Sequence, residues 1–424
     1  MKTILLVLSF FAAAGTTTIA HVAKVSVTAP KTTTSTLCSQ TKINEILAQA
    51  TDSSHIVSVN CQLVLKSTDR VTKQILISGA TANGTQIKCN GATLAPSSGA
   101  NALVVSSKQT AGATTELPVG KWSRPSDVTV SGCKVSGNIV VIGVVNNNKP
   151  GIFQNSSRLA GHTKRIQDNA PTRISFVSMN VTSTGGSSLY VHPGSTYITL
   201  KNSTLQGSTY GPAIYLDAES AHNTIQNNNF DVDTTRDFNI LDTSSWRSRE
   251  ILAIDGSAYN KIIGNRFSQL NEGGIYIYRN CGEGGVIRHQ TPNHNEIINN
   301  IFYYKNYSGD KPSIFVSSRG GNSSYCKDDA GYSYGSSNNN GDFAINTAII
   351  ENRIYKFSPS SMIKVGKTGS ADIQLNTTVP VETIVSNRSS SCYVSEEKRV
   401  YKNASKRTVG GTSFICTDGL WASS

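Results

Sequence analysis

Six tetrads of alternating character recur in the chain: Leu189-Tyr-Val-His192, Ile214-Tyr-Leu-Asp217, Leu252-Ala-Ile-Asp255, Ile275-Tyr-Ile-Tyr278, Ile314-Phe-Val-Ser317 and Ile363-Lys-Val-Gly366. On a β-strand the first and third residues of each would point inward and the second and fourth outward. If successive tetrads occupy neighbouring strands about 4.8 Å apart, the fourth positions form a ladder of His192, Asp217, Asp255, Tyr278 and Ser317. The second positions form another: Tyr190, Tyr215, Ala253, Tyr276, Phe315 and Lys364. Rings beside titratable groups are what a sugar groove requires, because the rings meet pyranose C–H faces while the polar groups fix hydroxyls and move protons. Ring ladders also stabilise strand pairs, so the tyrosines alone do not separate a groove from a stack.

Asp217 and Asp255 carry the sharper expectation. Two outward carboxylates one strand apart repel, and one pKa should rise unless a cation lies between them. They could form the acid/base pair of an inverting glycosidase or half of a calcium site, the latter letting the groove grip a uronate. The most economical centre is Asp255 with Tyr278, adjacent in the ladder and facing solvent, flanked by insertions that bring Arg249, Arg288 and His289 from both sides.

The elements that must hold these residues follow from a second repeat. Asn223 to Phe230, Asn260 to Phe267, Asn295 to Phe302 and Thr347 to Ile354 share an aliphatic residue, an Asn three positions later and a large apolar residue two after that. Asn228, Asn265, Asn300 and Asn352 would therefore stack, one per coil. Tetrad spacing implies a coil of about 23 to 25 residues with insertions in three turns, as in a solenoid. A sandwich would show hairpin turns at short intervals instead. The fold class expected is all-β, a right-handed parallel β-helix over residues 50–379. An amphipathic helix over residues 37–50, with Leu37, Ile43, Ile46 and Leu47 on one face, would cap its first coil. Residues 380–424 leave the pattern and read as a small disulfide-pinned module.

Residues 1–20 read as a signal peptide, with Lys2, an apolar run and Thr18-Ile19-Ala20 ahead of cleavage, followed by an N-terminal segment from 21 to 49. Export to an extracellular or periplasmic location makes the eight cysteines a disulfide framework. Sequential pairing is expected: Cys38 with Cys61, Cys89 with Cys133, Cys281 with Cys326, Cys392 with Cys416. The chain has 39 Lys and Arg against 27 Asp and Glu, a formal net charge of +12. For an exported chain an acidic polysaccharide is a better partner than nucleic acid, and no stretch after the leader is apolar enough for membrane insertion.

The coils resemble those of the pectate-lyase-like superfamily over about residues 50 to 375. The block from Gly273 to Pro292, Gly-Gly-Ile-Tyr-Ile-Tyr-Arg-Asn-Cys-Gly-Glu-Gly-Gly-Val-Ile-Arg-His-Gln-Thr-Pro, resembles one recurring in bacterial secreted β-helix repeat proteins. The resemblance implies the architecture, in a superfamily that includes lyases, hydrolases, epimerases and phage adhesins. The Asn-Thr-Asp and Gly-His-Gly signatures of polygalacturonases are absent.

Cleavage of a uronate-containing polysaccharide by β-elimination is the leading expectation. Arg279, or calcium on Asp217 and Asp255, would neutralise the carboxylate, and Tyr278 or His192 would serve as base and acid. Tyr190, Tyr215, Tyr276, Phe315, Arg249, Arg288, His289 and Glu283 would bind substrate. An inverting hydrolase using Asp217 and Asp255, and a non-catalytic adhesin or tailspike-like binder, are the alternatives.

Overall fold

The computed structural model describes residues 35–97, 101–144, 150–234, 249–270, 273–280, 286–304, 312–316 and 344–356, and then the strands 363–365, 371–374, 377–380, 392–394, 399–401, 406–409, 412–417 and 420–423. The proposed signal peptide, Cys281, Glu283, Ser317 and Cys326 lie outside these residues. Cys392 and Cys416 lie in described strands, but their side chains, and so their pairing, fall outside the description.

Three ten-stranded parallel sheets run the length of the coil stack. Each coil from Ile56 to Pro380 contributes one strand to sheet 1, then one to sheet 2, then one to sheet 3; Leu189–Val191, Thr196–Lys201 and Thr204–Thr209 form one such coil. The chain is a parallel β-helix. Its expected right-handed sense is the one that strand twist favours for parallel crossovers. The C-terminal strands pair differently, as an antiparallel hairpin (392–394 with 399–401) and a three-stranded antiparallel sheet (406–423).

The tetrads are the strands of sheet 1 from Leu189 onward, in register: Leu189, Ile214, Leu252, Ile275, Ile314 and Ile363 are successive Cα partners. Their first and third residues fill the core. Inside it Phe230, Phe267 and Phe302 stack with centroids 4.7 and 4.8 Å apart.

The Asn column forms as expected at the two-residue turn between sheets 2 and 3. Asn228 donates from its backbone and side-chain nitrogens to Asn265 Oδ1 (both 3.0 Å), Asn265 to Asn300 Oδ1 (2.9 and 3.0 Å), and Asn300 to Asn352 Oδ1 (both 3.0 Å). A second column, Asn223, Asn260 and Asn295, repeats the device where sheet 2 begins. Beside it Tyr197, His222, Tyr259 and His294 stack at 4.8 to 5.1 Å, each with positive φ. Neither column was anticipated.

The N-terminal helix is shorter than expected. Helix α1 spans Gln40–Leu47, with Ser39 Oγ accepting from Lys42 N at 3.2 Å. Ile46 is buried, and Ile43 and Leu47 pack on the core, but Leu37 is 71% exposed. The Cys38–Cys61 disulfide and the pairing of Cys38 N with Gln62 O (2.9 Å) hold that stretch extended, so Leu37 cannot join the helical face. Cys89–Cys133 forms as expected. Both bridges accord with an oxidising, exported environment. No helix among the described residues is long and apolar enough to cross a membrane.

Several insertions gather at one corner, while the one from 234 to 251 joins sheet 3 to sheet 1. Sheets 2 and 3 are joined by short turns in every coil, whereas the connections from sheet 1 to sheet 2 carry a hairpin (Lys108–Ala111 with Lys121–Ser123), helices α2 (Pro150–Ser157) and α3 (His162–Asn169), and the segment 279–295. A satellite apolar cluster of Val119, Val144, Phe153 and Ile166, with Trp122, Ile152 and Val286 packed on it, joins these insertions. The two helices were not foreseen.

The ladder makes a direct stability prediction. Asn265 is fully buried, and Asn265→Ala would orphan the Asn228 N–H and the Ile225 carbonyl that its amide serves. Denaturant unfolding should show a loss of about 2–4 kcal/mol; a loss below about 0.5 kcal/mol would remove the ladder from the account of stability.

Candidate functional site

The outer face of sheet 1 carries the second- and fourth-position columns, and they differ in accessibility. Tyr190, Tyr215, Tyr276 and Phe315 are half-buried, as is His192. The expectation that the other fourth positions face solvent is overturned. Asp217 is 5% exposed, Asp255 0% and Tyr278 1%. They point away from the core, but Arg288 of the segment 286–290 lies on Asp217 and Asp255, helices α2 and α3 pack on that segment and on Glu219, and Glu250 meets Tyr278.

The cover is fixed by hydrogen bonds. Glu219 Oε1 accepts from His289 N (2.7 Å), and its other oxygen accepts from Thr163 of α3. Gln290 Nε2 donates to Ser220 O (2.6 Å) and Gly256 O (2.9 Å). His289 Nε2 donates to Ser157 O (2.5 Å), and Ile287 N to Ser157 Oγ (2.9 Å), both at the end of α2. Arg279, 1% exposed, donates to the carbonyls of Arg288 (3.1 Å) and His289 (3.2 Å). It was expected to neutralise substrate; instead it holds the covering segment.

That segment delivers Arg288 to the carboxylates. Its Nη1 lies 3.1 Å from Asp217 Oδ1 and 3.0 Å from Asp255 Oδ2. The N–H directions do not line up with either oxygen, so the contact is charge pairing rather than a well-formed hydrogen bond. The remaining valences are filled from elsewhere. Tyr190 donates to Asp217 Oδ2 at 2.7 Å and Tyr215 donates to Asp255 Oδ2. Ala218 N donates to Asp217 Oδ1 (2.7 Å) and Asn280 N to Asp255 Oδ1 (2.6 Å).

The cation expected between the carboxylates is therefore a guanidinium. A dication would need six to eight oxygens, and Arg288 already stands between the two carboxylates, so they do not fit calcium in this arrangement. Among the described residues no group of three or more His, Cys, Asp and Glu is arranged for a metal. Burial pushes the Asp255 carboxyl above its usual range, with Arg288 opposing the shift. Burial, then the neighbouring carboxylates, hold Tyr190 and Tyr215 as neutral phenols well above the ordinary range.

Tyr278 leaves the expected pair with Asp255, because its hydroxyl donates to Glu250 Oε1 at 2.7 Å. Arg249, expected to bind substrate, pairs through Nε with Glu250 Oε2 at 3.2 Å. His192 stands apart from both clusters: its ring stacks on Tyr190 at 4.0 Å, and burial lowers its pKa to about 4. Tyr190 meets Tyr215 edge-on at 5.3 Å and Tyr276 tilts onto Phe315 at 5.3 Å, giving two aromatic pairs separated by Ala253.

Glu219, Glu250, Gln290 and His162 were missed. Glu219 had a visible signal: it takes φ +63 at a corner where the coils before and after place Gly194 (φ +79) and Gly256 (φ +65). A carboxylate where glycine is the easy residue needs compensating contacts, and its bonds to the covering segment supply them.

No protein-family model and no curated protein sequence matches the chain. Solved structures with a similar arrangement include an alginate lyase from Paenibacillus sp. str. FPU-7 (12% identity, TM-score 0.40, 77% of this chain and 86% of that one). The Streptococcus pneumoniae surface protein and adhesin PfbA is similar at 13% identity and TM-score 0.39, over 77% of each chain. The catalytic domain of a GH87 α-1,3-glucanase is similar at 10% identity and TM-score 0.29, over 83% of this chain and 69% of that one. The activities in these names are those proteins' own.

The cover also carries a pH dependence. His162 of α3 is fully buried against Phe153 (4.9 Å) and His289 (5.0 Å), and burial, then His289, lower its pKa to about 3. Its folded pKa lies below the unfolded value of about 6.5, so its contribution is complete above that pH and is lost as pH falls toward 3. His192 acts in the same sense down to about 4. Between pH 6.5 and 4.5 the unfolding free energy of the wild type should fall more steeply than that of His162→Asn, by about 1.4 kcal/mol per pH unit. Parallel profiles would show that His162 is not held neutral.

Proposed function

We propose that this chain is a secreted carbohydrate-active protein that binds an acidic polysaccharide along the outer face of sheet 1 and cleaves it by β-elimination at His192. The observation that carries the reading is the imidazole of His192, kept neutral at physiological pH and stacked on a tyrosine whose hydroxyl is anchored to Asp217. A neutral imidazole can take the proton from C5 of a uronate. The electron pair forms the C4–C5 double bond and expels the oxygen on C4, and the imidazolium returns its proton to that oxygen. Tyr190 holds the ring in place, and the Asp217–Arg288–Asp255 cluster beside it anchors that tyrosine. The aromatic pairs Tyr190–Tyr215 and Tyr276–Phe315 supply faces for sugar rings. The formal charge of +12 draws a polyanion toward the surface.

This centre replaces Asp255 and Tyr278, whose polar atoms are spent on internal partners. The same saturation of Asp217 and Asp255 weighs against a hydrolase built on that pair, and favours as a second reading a glycan binder without turnover.

One experiment separates the three. The purified protein is incubated with uronate-containing and neutral polysaccharides while ultraviolet absorbance and reducing ends are followed together. Elimination yields both signals from a uronate polymer, and His192→Ala should reduce them about a hundredfold or more with the melting temperature preserved. Reducing ends without absorbance would mean hydrolysis, and binding without either signal would mean a binder; both overturn the lyase reading.

A further inference from the structure

We infer that the turn between sheets 2 and 3, on the far side of the molecule's core from the sheet 1 groove, carries a second sugar site that takes a short neutral stretch of polysaccharide. One residue per coil is left-handed at this turn, and three of four consecutive positions are asparagines: Asn202 (φ +54), Asn227 (φ +54) and Asn299 (φ +54), with Gly264 (φ +66) between the last two. Gly264 leaves a gap in the column. A Cβ there would lie 2.5 Å from Asn227 Oδ1, so the Asn227 amide reaches across the space that a side chain would fill. A cavity of about 300 Å³ opens at this point, lined by Asn202, Asn227, Asn229, Gly264, Arg266 and Ile301 among others.

The cavity-lining Asn229 and, beyond the cavity lining, Asp231 at the next outward position of the same strand present unspent hydrogen-bonding capacity. Asn229 and Asp231 point outward from the strand Asn229–Asp233, while Phe230 and Val232 between them fill the core. Asn229 Oδ1 and Asp231 Oδ1 are both withdrawn from solvent and without a hydrogen-bond partner among the described residues. Acceptors in that condition cost free energy unless a donor reaches them. On the next strand Arg266 is the Cα partner of Asn229. Its guanidinium lies over the Tyr303 ring at 4.4 Å, and that ring stacks on Tyr355 at 4.7 Å. The arginine is thus held at the cavity edge by the aromatic stack.

Charge selects the ligand class. Arg266 disfavours a metal ion at the two acceptors, and Asp231 disfavours an anion at Arg266. A neutral ligand whose hydroxyls both donate and accept satisfies all three groups, and the volume suits a sugar unit within a chain. A second site on another face would keep a long polymer of mixed acidic and neutral sugars associated while the groove on sheet 1 engages its uronates elsewhere.

The test uses the full chain with cellohexaose, xylohexaose and maltohexaose, each at about 10 mM, far above the weak affinity expected of so small a site. Hydrogen exchange should slow in residues 226–232 and 262–268 with at least one of them. Asn229→Leu and Arg266→Ala should each weaken that binding tenfold or more. Thr204→Trp, which fills the cavity from the neighbouring strand without removing a charge, should do the same and guards against a folding defect in the other two. His192→Ala should bind as the wild type does, which keeps this inference separate from the lyase reading. Absence of protection in the wild type with all three sugars, or unchanged binding in the three cavity variants, would overturn it.

Discussion

Parallel coils stacked at a single pitch force each residue to meet its counterpart in the coil above and below, and this constraint shapes the rest of the structure. A column works only if its members tolerate their own kind at about 5 Å. Asparagine does, because one amide donates while the next accepts. Phenylalanine does so inside and tyrosine alternating with histidine does so outside, since planar rings stack. Carboxylates do not. Asp217 and Asp255 stand on adjacent strands of sheet 1, and their repulsion is resolved by a guanidinium brought from an insertion.

That single import explains much of the cover. For Arg288 to remain between the carboxylates, its own backbone must be held, and Arg279, Glu219 and Gln290 hold it from three directions. Helices α2 and α3 pack on the covering segment, and His162 is buried there as a neutral ring against His289. The cost of desolvating three charges is offset by their pairing and by a hydrogen bond to each of the four carboxylate oxygens. What remains accessible is the aromatic row and the His192–Tyr190 stack, at the edge of the covered region. The chemistry proposed for the protein therefore sits beside the ion cluster and is positioned by it.

The repeat was legible because it is local. The Asn column, the inward residues of the tetrads and their register follow from one period read along the chain, and two of the disulfides from pairing cysteines that are neighbours in sequence. Alternation gave the direction of Asp255 and Tyr278 correctly and their accessibility wrongly, since direction depends on neighbours in sequence and burial on residues far away. Glu219 contacts Thr163 and His289, and Ile287 reaches back to Ser157; no periodicity announces such pairs. Arg288 was placed near the ladder, but as a substrate ligand, because the spacing of two carboxylates shows the need for a cation without showing that the fold supplies it. Helices α2 and α3 interrupt the repeat between two sheet strands of one coil, where the coil pattern carries no information about them.

The central claim is that Arg288 is the cation that lets two stacked carboxylates exist in one column. Equilibrium unfolding of Arg288→Met, compared with the triple variant Asp217→Asn, Asp255→Asn, Arg288→Met, tests it most directly. Removing the guanidinium alone should cost about 3–5 kcal/mol, because it strands two buried charges, and neutralising both carboxylates in the same chain should restore most of that loss. An Arg288→Met protein as stable as the wild type, or a triple variant no more stable than the single one, would contradict the account.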